Sequence, residues 1–599
     1  MEEGRSSPSS ADHLVANSDD CEEASPPGRI RLAKPSQDPV TLRRSRRISG
    51  NLKGDPYAAI ASTTTGEGFT VAGPEDDPIS YWEALRSHYG DKWKSAMREE
   101  FKSLIENKTW SVVLKSDINE KHGVRPIGCK WVFRMKTNPD ATIRFKARLV
   151  VKGYEQHLFG ETFAPVAGLT SIPMVLALAA LNRWEIHHLD VCTAFLNPPL
   201  ESQVFIEMPE GIEWLQPQLL QSHNKCALKL HKALYGLKEA PRLWYNHINK
   251  YLHAIGLQCS PNDPNLYPTK DSQLLLVLYV DDLLILSPNM QRIYELKAKL
   301  KEMYKMNDLG TAKQFLGLEL LTTADFLYLH QTRFTIKILR RFGMDLCNGV
   351  STPLEVKQLL PTTKDCVKAD QLEYQSILGS LMYLAVGTRP DISYAVSKLG
   401  KFSINPSAVH LAALKRVLRY VKQTASLGLR FYRHSSEAPL PCLQLIGYCD
   451  SDFAGDQSDS KSTSGYVYTL AGAAISWKSK KQTLVSLSST ESEYIGYSEA
   501  AREAIWLRRL YHELTATTYT PQLLYGDNMG ALQLIQQPKF NARSKHIAIQ
   551  YHHVRDAYQQ GLISFEYLNT TNMTADIFTK ALTRDTHQRH TQGLGLRST

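Results

Sequence analysis

Gln273-Leu-Leu-Leu-Val-Leu-Tyr-Val-Asp-Asp-Leu-Leu-Ile-Leu-Ser287 decides how the chain is read. Two apolar, β-prone runs flank Asp281 and Asp282. Between Asp271 and Arg292 these two aspartates are the only charged residues. The stretch is too short to cross a bilayer, which takes roughly 20 apolar residues. It reads instead as two buried strands joined by a tight turn. Asp-Asp is a common turn pair in its own right. Inside a buried hairpin, however, the two carboxylates repel each other and lose solvation, and a divalent cation removes both problems.

Around this hairpin lies a chain of 599 residues, which suggests roughly three to five domains. Hydrophobic residues make up 43% and charged residues 22%, so ordinary globular cores are within reach. The net charge of +10 favours a polyanionic partner over an acidic one. Nine cysteines with no Cys-x-x-Cys pair point to reduced thiols, not a disulfide framework or a zinc finger. No stretch reads as a signal peptide or a membrane span.

Residues 1–75 are expected to be disordered, acidic at first and then basic. Between Arg29 and Lys53, the bases Arg29, Arg31, Lys34, Arg43, Arg44, Arg46, Arg47 and Lys53 stand against one acid, Asp38. Order is expected from Pro78. Trp93, Met97, Phe101 and Leu104 fall at helical spacing. A basic hairpin follows over residues 127–136 and 143–152, turning at 138–140; such a platform suits phosphate contact. Residues 171–181 form an apolar helix. Asp190 then ends a strand, on which His187 and His188 alternate faces and so cannot both ligate one metal. Residues 360–430 read as mostly helical, and a new α/β unit is expected from Leu443.

That unit has its own carboxylates. Asp450 and Asp527 follow apolar strands, and Asp576 sits in a helix expected over 573–582. Glu491 opens a helix whose buried face includes Tyr494, Tyr497, Ala501 and Ala504. At 100° per residue Glu491 shares that face and Glu493 lies opposite. Three carboxylates at strand ends and helix starts, plus a fourth, are what a two-Mg²⁺ site needs: hard oxygen ligands clamping two ions about 4 Å apart.

Tyr279-Val-Asp-Asp282 with Asp190-Val-Cys-Thr-Ala-Phe195 resembles the polymerase site of copia-type LTR retrotransposon reverse transcriptases. So do Phe145-Lys-Ala-Arg-Leu-Val-Val-Lys-Gly-Tyr-Glu-Gln156, Glu161-Thr-Phe-Ala-Pro-Val166, Leu234-Tyr-Gly-Leu-Lys238, Asp308-Leu-Gly310 and Phe315-Leu-Gly-Leu-Glu319. Tyr448-Cys-Asp-Ser-Asp-Phe-Ala-Gly-Asp456, Ser488-Ser-Thr-Glu-Ser-Glu-Tyr494, Asp527-Asn528, Ser544-Lys-His546 and Ala575-Asp-Ile-Phe-Thr-Lys-Ala581 resemble the ribonuclease H domain that follows it.

The resemblance implies a right-hand polymerase of fingers, palm and thumb (76–345), a helical connection (346–440) and a ribonuclease H-like α/β domain (441–599), with 1–75 a remnant of the tail after an integrase. It implies Asp190, Asp281 and Asp282 as palm ligands of two Mg²⁺, with Mn²⁺ as a substitute. Lys146 and Arg148 match the hairpin that grips the triphosphate. Phe195 matches the bulky residue beneath the sugar, Tyr235 and Gly236 the nucleotide pocket, and Phe315, Leu316 and Gly317 the strand that positions the primer. Asp450, Glu491, Asp527 and Asp576 match the nuclease tetrad. The implied partners are an RNA template, a DNA primer, an RNA–DNA hybrid and deoxynucleoside triphosphates, with no membrane. A homodimer, or association with integrase and capsid proteins in a cytoplasmic virus-like particle or the nucleus, belongs to the same expectation. Three departures stand out: Asn197-Pro198-Pro199 replaces a short Gly-containing turn, Glu239-Ala240 replaces Gln-Ser, and Asn569-Thr-Thr-Asn572 lacks the histidine many ribonucleases H carry. The rival expectations are a non-catalytic nucleic-acid-binding relic and a supporting subunit.

Overall fold

The computed structural model describes residues 77–599 apart from 123–124, 138–142, 157–160, 215–224, 359, 362–366, 434–439, 518 and 538–550. The basic tail, the turn at 138–140 and Ser544–His546 lie outside the described residues.

The Asp-Asp hairpin forms as its pattern demands. Leu275–Tyr279 pairs antiparallel with Asp282–Ser287, and every residue but Asp282 is buried. The two strands are apolar on both faces because each face meets a different core. Leu275, Val277, Tyr279, Leu284 and Leu286 join one core, and Leu274, Leu276, Leu278, Leu283 and Ile285 join the other. The hairpin is therefore a wall between two hydrophobic layers. Glu185–Val191 pairs on its outer side, followed by Met306–Thr311, and Leu266–Pro268 closes the opposite edge of this five-stranded sheet.

The basic hairpin is Cys129–Thr137 paired with Ile143–Val151. Its back, through Phe133, Ala147 and Leu149, packs with Trp93, Met97 and Phe101 of the helix Gly90–Glu106. The helix Ser171–Leu181 has no polar face, and ten of its eleven residues are buried. A helix apolar all round must be covered all round. It belongs to a core shared with the strands Leu427–Tyr432 and Ala473–Lys481.

A second five-stranded sheet runs across the expected boundaries near 345 and 440. It contains Gln314–Phe315, Leu318–Thr322, Phe326–His330, Leu427–Tyr432 and the terminal strand Leu596–Ser598. The helices Gln371–Gly387, Ser393–Gly400 and Ala408–Gln423 form a third core with Thr332–Arg341. At its edge a salt bridge is fully enclosed: Arg389 meets Asp391 at 2.9 and 2.8 Å, and the Tyr420 hydroxyl donates to Asp391 at 2.7 Å.

The carboxyl-terminal sheet has the order Ala473–Lys481, Thr463–Leu470, Ile446–Asp452, Gln522–Gly526, Ile563–Tyr567. The first two pairings are antiparallel and the last two parallel. The 27-residue helix Ser489–Thr515 lies against it. Residues 573–582 do not form an α-helix: a 3₁₀ turn covers Thr574–Phe578, and the Thr579 hydroxyl bonds to Asp450 and to the Asp576 carbonyl instead of continuing a helix. The last helix is Arg584–Gly593, too polar in sequence to be read as buried although His587 and His590 are inside.

Candidate active sites

The first site grows out of strand register. Asp190 and Asp282 face each other directly on adjacent antiparallel strands, and Asp281 occupies the hairpin turn between Tyr279 and Asp282. That turn is held from two sides. The Val191 amide donates to the Asp281 carbonyl at 2.8 Å, and the Trp244 indole donates to the Val280 carbonyl at 2.6 Å. Trp244, Ile248 and Leu252, spaced four apart, bury the helix that brings the indole there. Val280 takes a φ of +55°, a left-handed conformation that a β-branched residue adopts only when its surroundings impose it.

The three carboxylates differ in what supports them. Asp190 accepts from Asn307 at 3.0 Å, and Asp282 lies 2.9 Å from His188 Nε2. One oxygen of Asp281 is enclosed with no partner. Burial, then Asp282 and Asp190, push its carboxyl up to about 6. An enclosed anion without a donor, flanked by two more hard oxygen ligands, fits a divalent cation.

This triad floors a cleft of about 390 Å³ walled by Arg144, Lys146, Arg148, Glu100 and Tyr235. The Arg148 guanidinium stacks 4.8 Å from the Tyr235 ring. The Tyr235 carbonyl accepts from the Val151 amide at 2.7 Å. Gly236 makes that approach possible: its φ is +92°, and a Cβ there would sit 2.1 Å from the Val151 carbonyl oxygen. Lys146, Arg148, Tyr235 and Gly236 are thus brought together as the motif reading anticipated. Phe195 stands one layer back, buried and edge-on to Tyr235 at 4.9 Å, outside the cleft lining.

Phe315 is buried, and Leu316 and Gly317, both at positive φ, make the two-residue turn to Leu318. The ring of Phe315 meets that of His188 at 5.7 Å, and the Tyr383 hydroxyl donates to the Leu316 carbonyl at 3.0 Å. The turn is therefore linked to Asp282 through a single histidine. His187 and His188 alternate faces, as expected of neighbours on a strand. The structure separates them: His187 lies 2.8 Å from the buried Lys297 ammonium, and His188 reaches the acidic triad.

In the second site, Ile446–Asp452 and Gln522–Gly526 run parallel with Tyr448 opposite Tyr525. Continuing that register by two residues sets Asp450 beside Asp527. The glutamate that joins this pair is Glu493, not Glu491. Carboxylate oxygens of Asp450, Glu493 and Asp527 all lie within 4.8 Å of one another. Glu491 instead accepts from the Leu487 amide at 2.6 Å, while Ser488 accepts from the Glu491 amide, so Glu491 caps its own helix. Periodicity does not separate Glu491 from Glu493, because this end of the helix has no solvent side: residues 491–498 are all buried. The face toward Asp450 carries Glu493 and Gly496, where a Cβ would meet Ser451 Oγ at 2.4 Å.

Glu493 accepts from the Ser451 amide at 3.2 Å through one oxygen; the other is enclosed without a partner. Burial, Asp450 and Asp527 hold this carboxyl well above its ordinary range. Burial and Asp450 also raise Asp527, which accepts from Thr570 at 2.7 Å. Asp576, the fourth expected ligand, is raised to about 7 by burial and Asp450. It stands beside the triad, joined to Asp450 through Lys580. A cluster in which Glu493, Asp527 and Asp576 disfavour their own charge fits hard divalent cations.

Residues 107–356 match a family described as reverse transcriptase (RNA-dependent DNA polymerase). The chain is 37% identical over 545 residues to the retrovirus-related Pol polyprotein from transposon TNT 1-94 of Nicotiana tabacum, covering 88% of this chain and 40% of that one. It is 36% identical over 558 residues to the corresponding polyprotein from transposon RE1 of Arabidopsis thaliana, covering 92% and 36%. A transposon Ty5-1 protein of Saccharomyces cerevisiae is 36% identical over 327 residues, 53% of this chain and 100% of that one. The chain thus spans 40% or less of the two polyproteins. Among solved structures, a foamy viral protease–reverse transcriptase in complex with double-stranded DNA aligns at a TM-score of 0.44 and 13% identity, over 85% of this chain and 74% of that one.

Proposed function

The chain belongs to the reverse transcriptase family of copia-type retrotransposon Pol polyproteins, and from that premise we propose that it is an RNA-directed DNA polymerase with a ribonuclease H in the same chain. The observation that carries the reading is the register pair Asp190–Asp282 with Asp281 in the turn, at the floor of a cleft walled by Arg144, Lys146 and Arg148. Anionic floor and cationic wall are what a nucleoside triphosphate needs if its phosphates are to be gripped on one side and its reacting centre held on the other.

In this reading Asp190, Asp281 and Asp282 hold divalent cations, which when bound supply the charge neutralisation of an in-line phosphoryl transfer. Lys146 and Arg148 hold the triphosphate, with Arg148 pre-oriented by its stack on Tyr235. Phe195 supports Tyr235 from behind, so selection against a 2′-hydroxyl acts through the Tyr235 ring. Phe315–Gly317 seats the primer end, and His188 keeps Asp282 aimed toward it. Asp450, Glu493, Asp527 and Asp576 hydrolyse the RNA strand of an RNA–DNA hybrid. Residues 76–345, 346–440 and 441–599 serve as fingers–palm–thumb, connection and nuclease, with the sheet of Phe326–His330, Leu427–Tyr432 and Leu596–Ser598 joining all three.

The test is primer extension on a primed RNA template with deoxynucleotides and Mg²⁺, beside Asp281→Asn. Extension by the parent alone supports the reading. A folded parent that binds the template and extends nothing refutes it.

A further inference from the structure

The second acidic site contains a cation of its own. Lys580 Nζ lies 3.0 Å from Asp576 Oδ1 and 3.6 Å from Asp450 Oδ2. The Lys580 side chain is 35% exposed, whereas those of Asp450 and Asp576 are 4% and 7% exposed. Asp450 is therefore shared. With Glu493 and Asp527 it forms the oxygen cluster, where Glu493 keeps an enclosed oxygen unpartnered. With Asp576 it forms a pair already bridged by an ammonium.

Resting on the ribonuclease reading above, we propose that Lys580 is a resident cation standing where a second divalent ion would bind. In the free protein it neutralises Asp450 and Asp576, so the protein alone takes up one divalent ion, at Asp450, Glu493 and Asp527. The second position opens when a bound RNA–DNA hybrid offers Lys580 a phosphate in place of the carboxylates.

Three physical points support this. An ammonium and a divalent cation cannot share one pair of carboxylates at 3 Å spacing, because their repulsion there is severe. Lysine carries a compact charge on a flexible four-carbon stem, so it can leave without moving the backbone. Its partial exposure gives it somewhere to go, and backbone phosphates are strong acceptors for it. Hybrid and second cation then bind cooperatively, each favouring the state in which Lys580 has left.

The experiment counts bound Mn²⁺ by electron paramagnetic resonance. The full chain carries Asp281→Asn and Asp282→Asn, so that the polymerase site does not contribute. Without nucleic acid, one ion is expected with Lys580 in place, one with Lys580→Arg and two with Lys580→Met. Adding an uncleavable hybrid of DNA with 2′-O-methyl RNA is expected to raise the Lys580 protein to two. Two ions with Lys580 present and no hybrid overturn the proposal, as does one ion in a folded Lys580→Met protein. If Lys580→Met does not fold, the hybrid arm decides alone. If nothing binds and Asp450→Asn changes no count, the ribonuclease reading itself is overturned.

Discussion

Asp281→Asn is expected to stabilise the metal-free protein, and the structure gives the size. One Asp281 oxygen is enclosed without a donor, and its carboxyl is held at about 6 by burial, Asp282 and Asp190. A folded-state value above the unfolded one means that the folded state binds the proton more tightly. The stability this gives is complete below the unfolded value, near 4, and is lost as pH rises through about 6. At 1.36 kcal/mol per unit, a shift of roughly two units amounts to about 3 kcal/mol lost at pH 7.5. An amide does not ionise and escapes the loss. In EDTA, urea denaturation should find Asp281→Asn more stable by about 3 kcal/mol at pH 7.5 and by about half that at pH 5. Saturating Mg²⁺ should reverse the order, since only the parent has the full ligand set. A parent as stable as the variant in EDTA at pH 7.5, or a gap that does not shrink toward pH 5, would refute the reasoning.

Other substitutions separate roles that sit close together. Glu493→Gln should abolish hybrid cleavage and leave primer extension intact, whereas Glu491→Gln should keep cleavage and lose about 1 kcal/mol of stability with its helix cap; a cleavage gel and a denaturation curve check both. Gly236→Ala must push a methyl into the Val151 carbonyl at positive φ, and should cost at least about 2 kcal/mol and raise the nucleotide KM. Arg389→Met strands Asp391 in the core and should cost about 3–5 kcal/mol, read as a lower urea midpoint.

The Asp190–Asp281–Asp282 site was legible for a physical reason. A hairpin apolar on both faces with one isolated pair of acids has few alternatives, whereas Asp190, on a strand that also carries Glu185, His187 and His188, was readable through its motif. Lys146, Arg148, Tyr235 and Gly236 were readable as motifs, although only the structure ties the Tyr235 carbonyl to Val151. The carboxyl-terminal unit carried less contrast. Where a helix is buried on every side, as over residues 491–498, periodicity cannot say which face meets the metal, and Glu493 was lost to Glu491. Its signal was in the Ser-Ser-Thr-Glu-Ser-Glu-Tyr motif, which holds two glutamates and does not rank them. Lys580 stood in a quoted motif without a role, because its partner Asp450 is 130 residues away in sequence. The sheet joining Phe326–His330, Leu427–Tyr432 and Leu596–Ser598 was unreadable for the same reason: strand pairing at that range leaves no local trace.

On the function proposed above, one chain copies RNA and removes it at two separate acidic centres. One reaction tests both, with a primed RNA template labelled on the RNA and on the primer by different fluorophores, run with Mg²⁺ and deoxynucleotides. The parent should lengthen the primer strand and then shorten the RNA. Asp281→Asn should stop the first, and Glu493→Gln should stop only the second. A parent that shows neither change while binding the labelled template, or a Glu493→Gln protein that still shortens the RNA, would contradict the account.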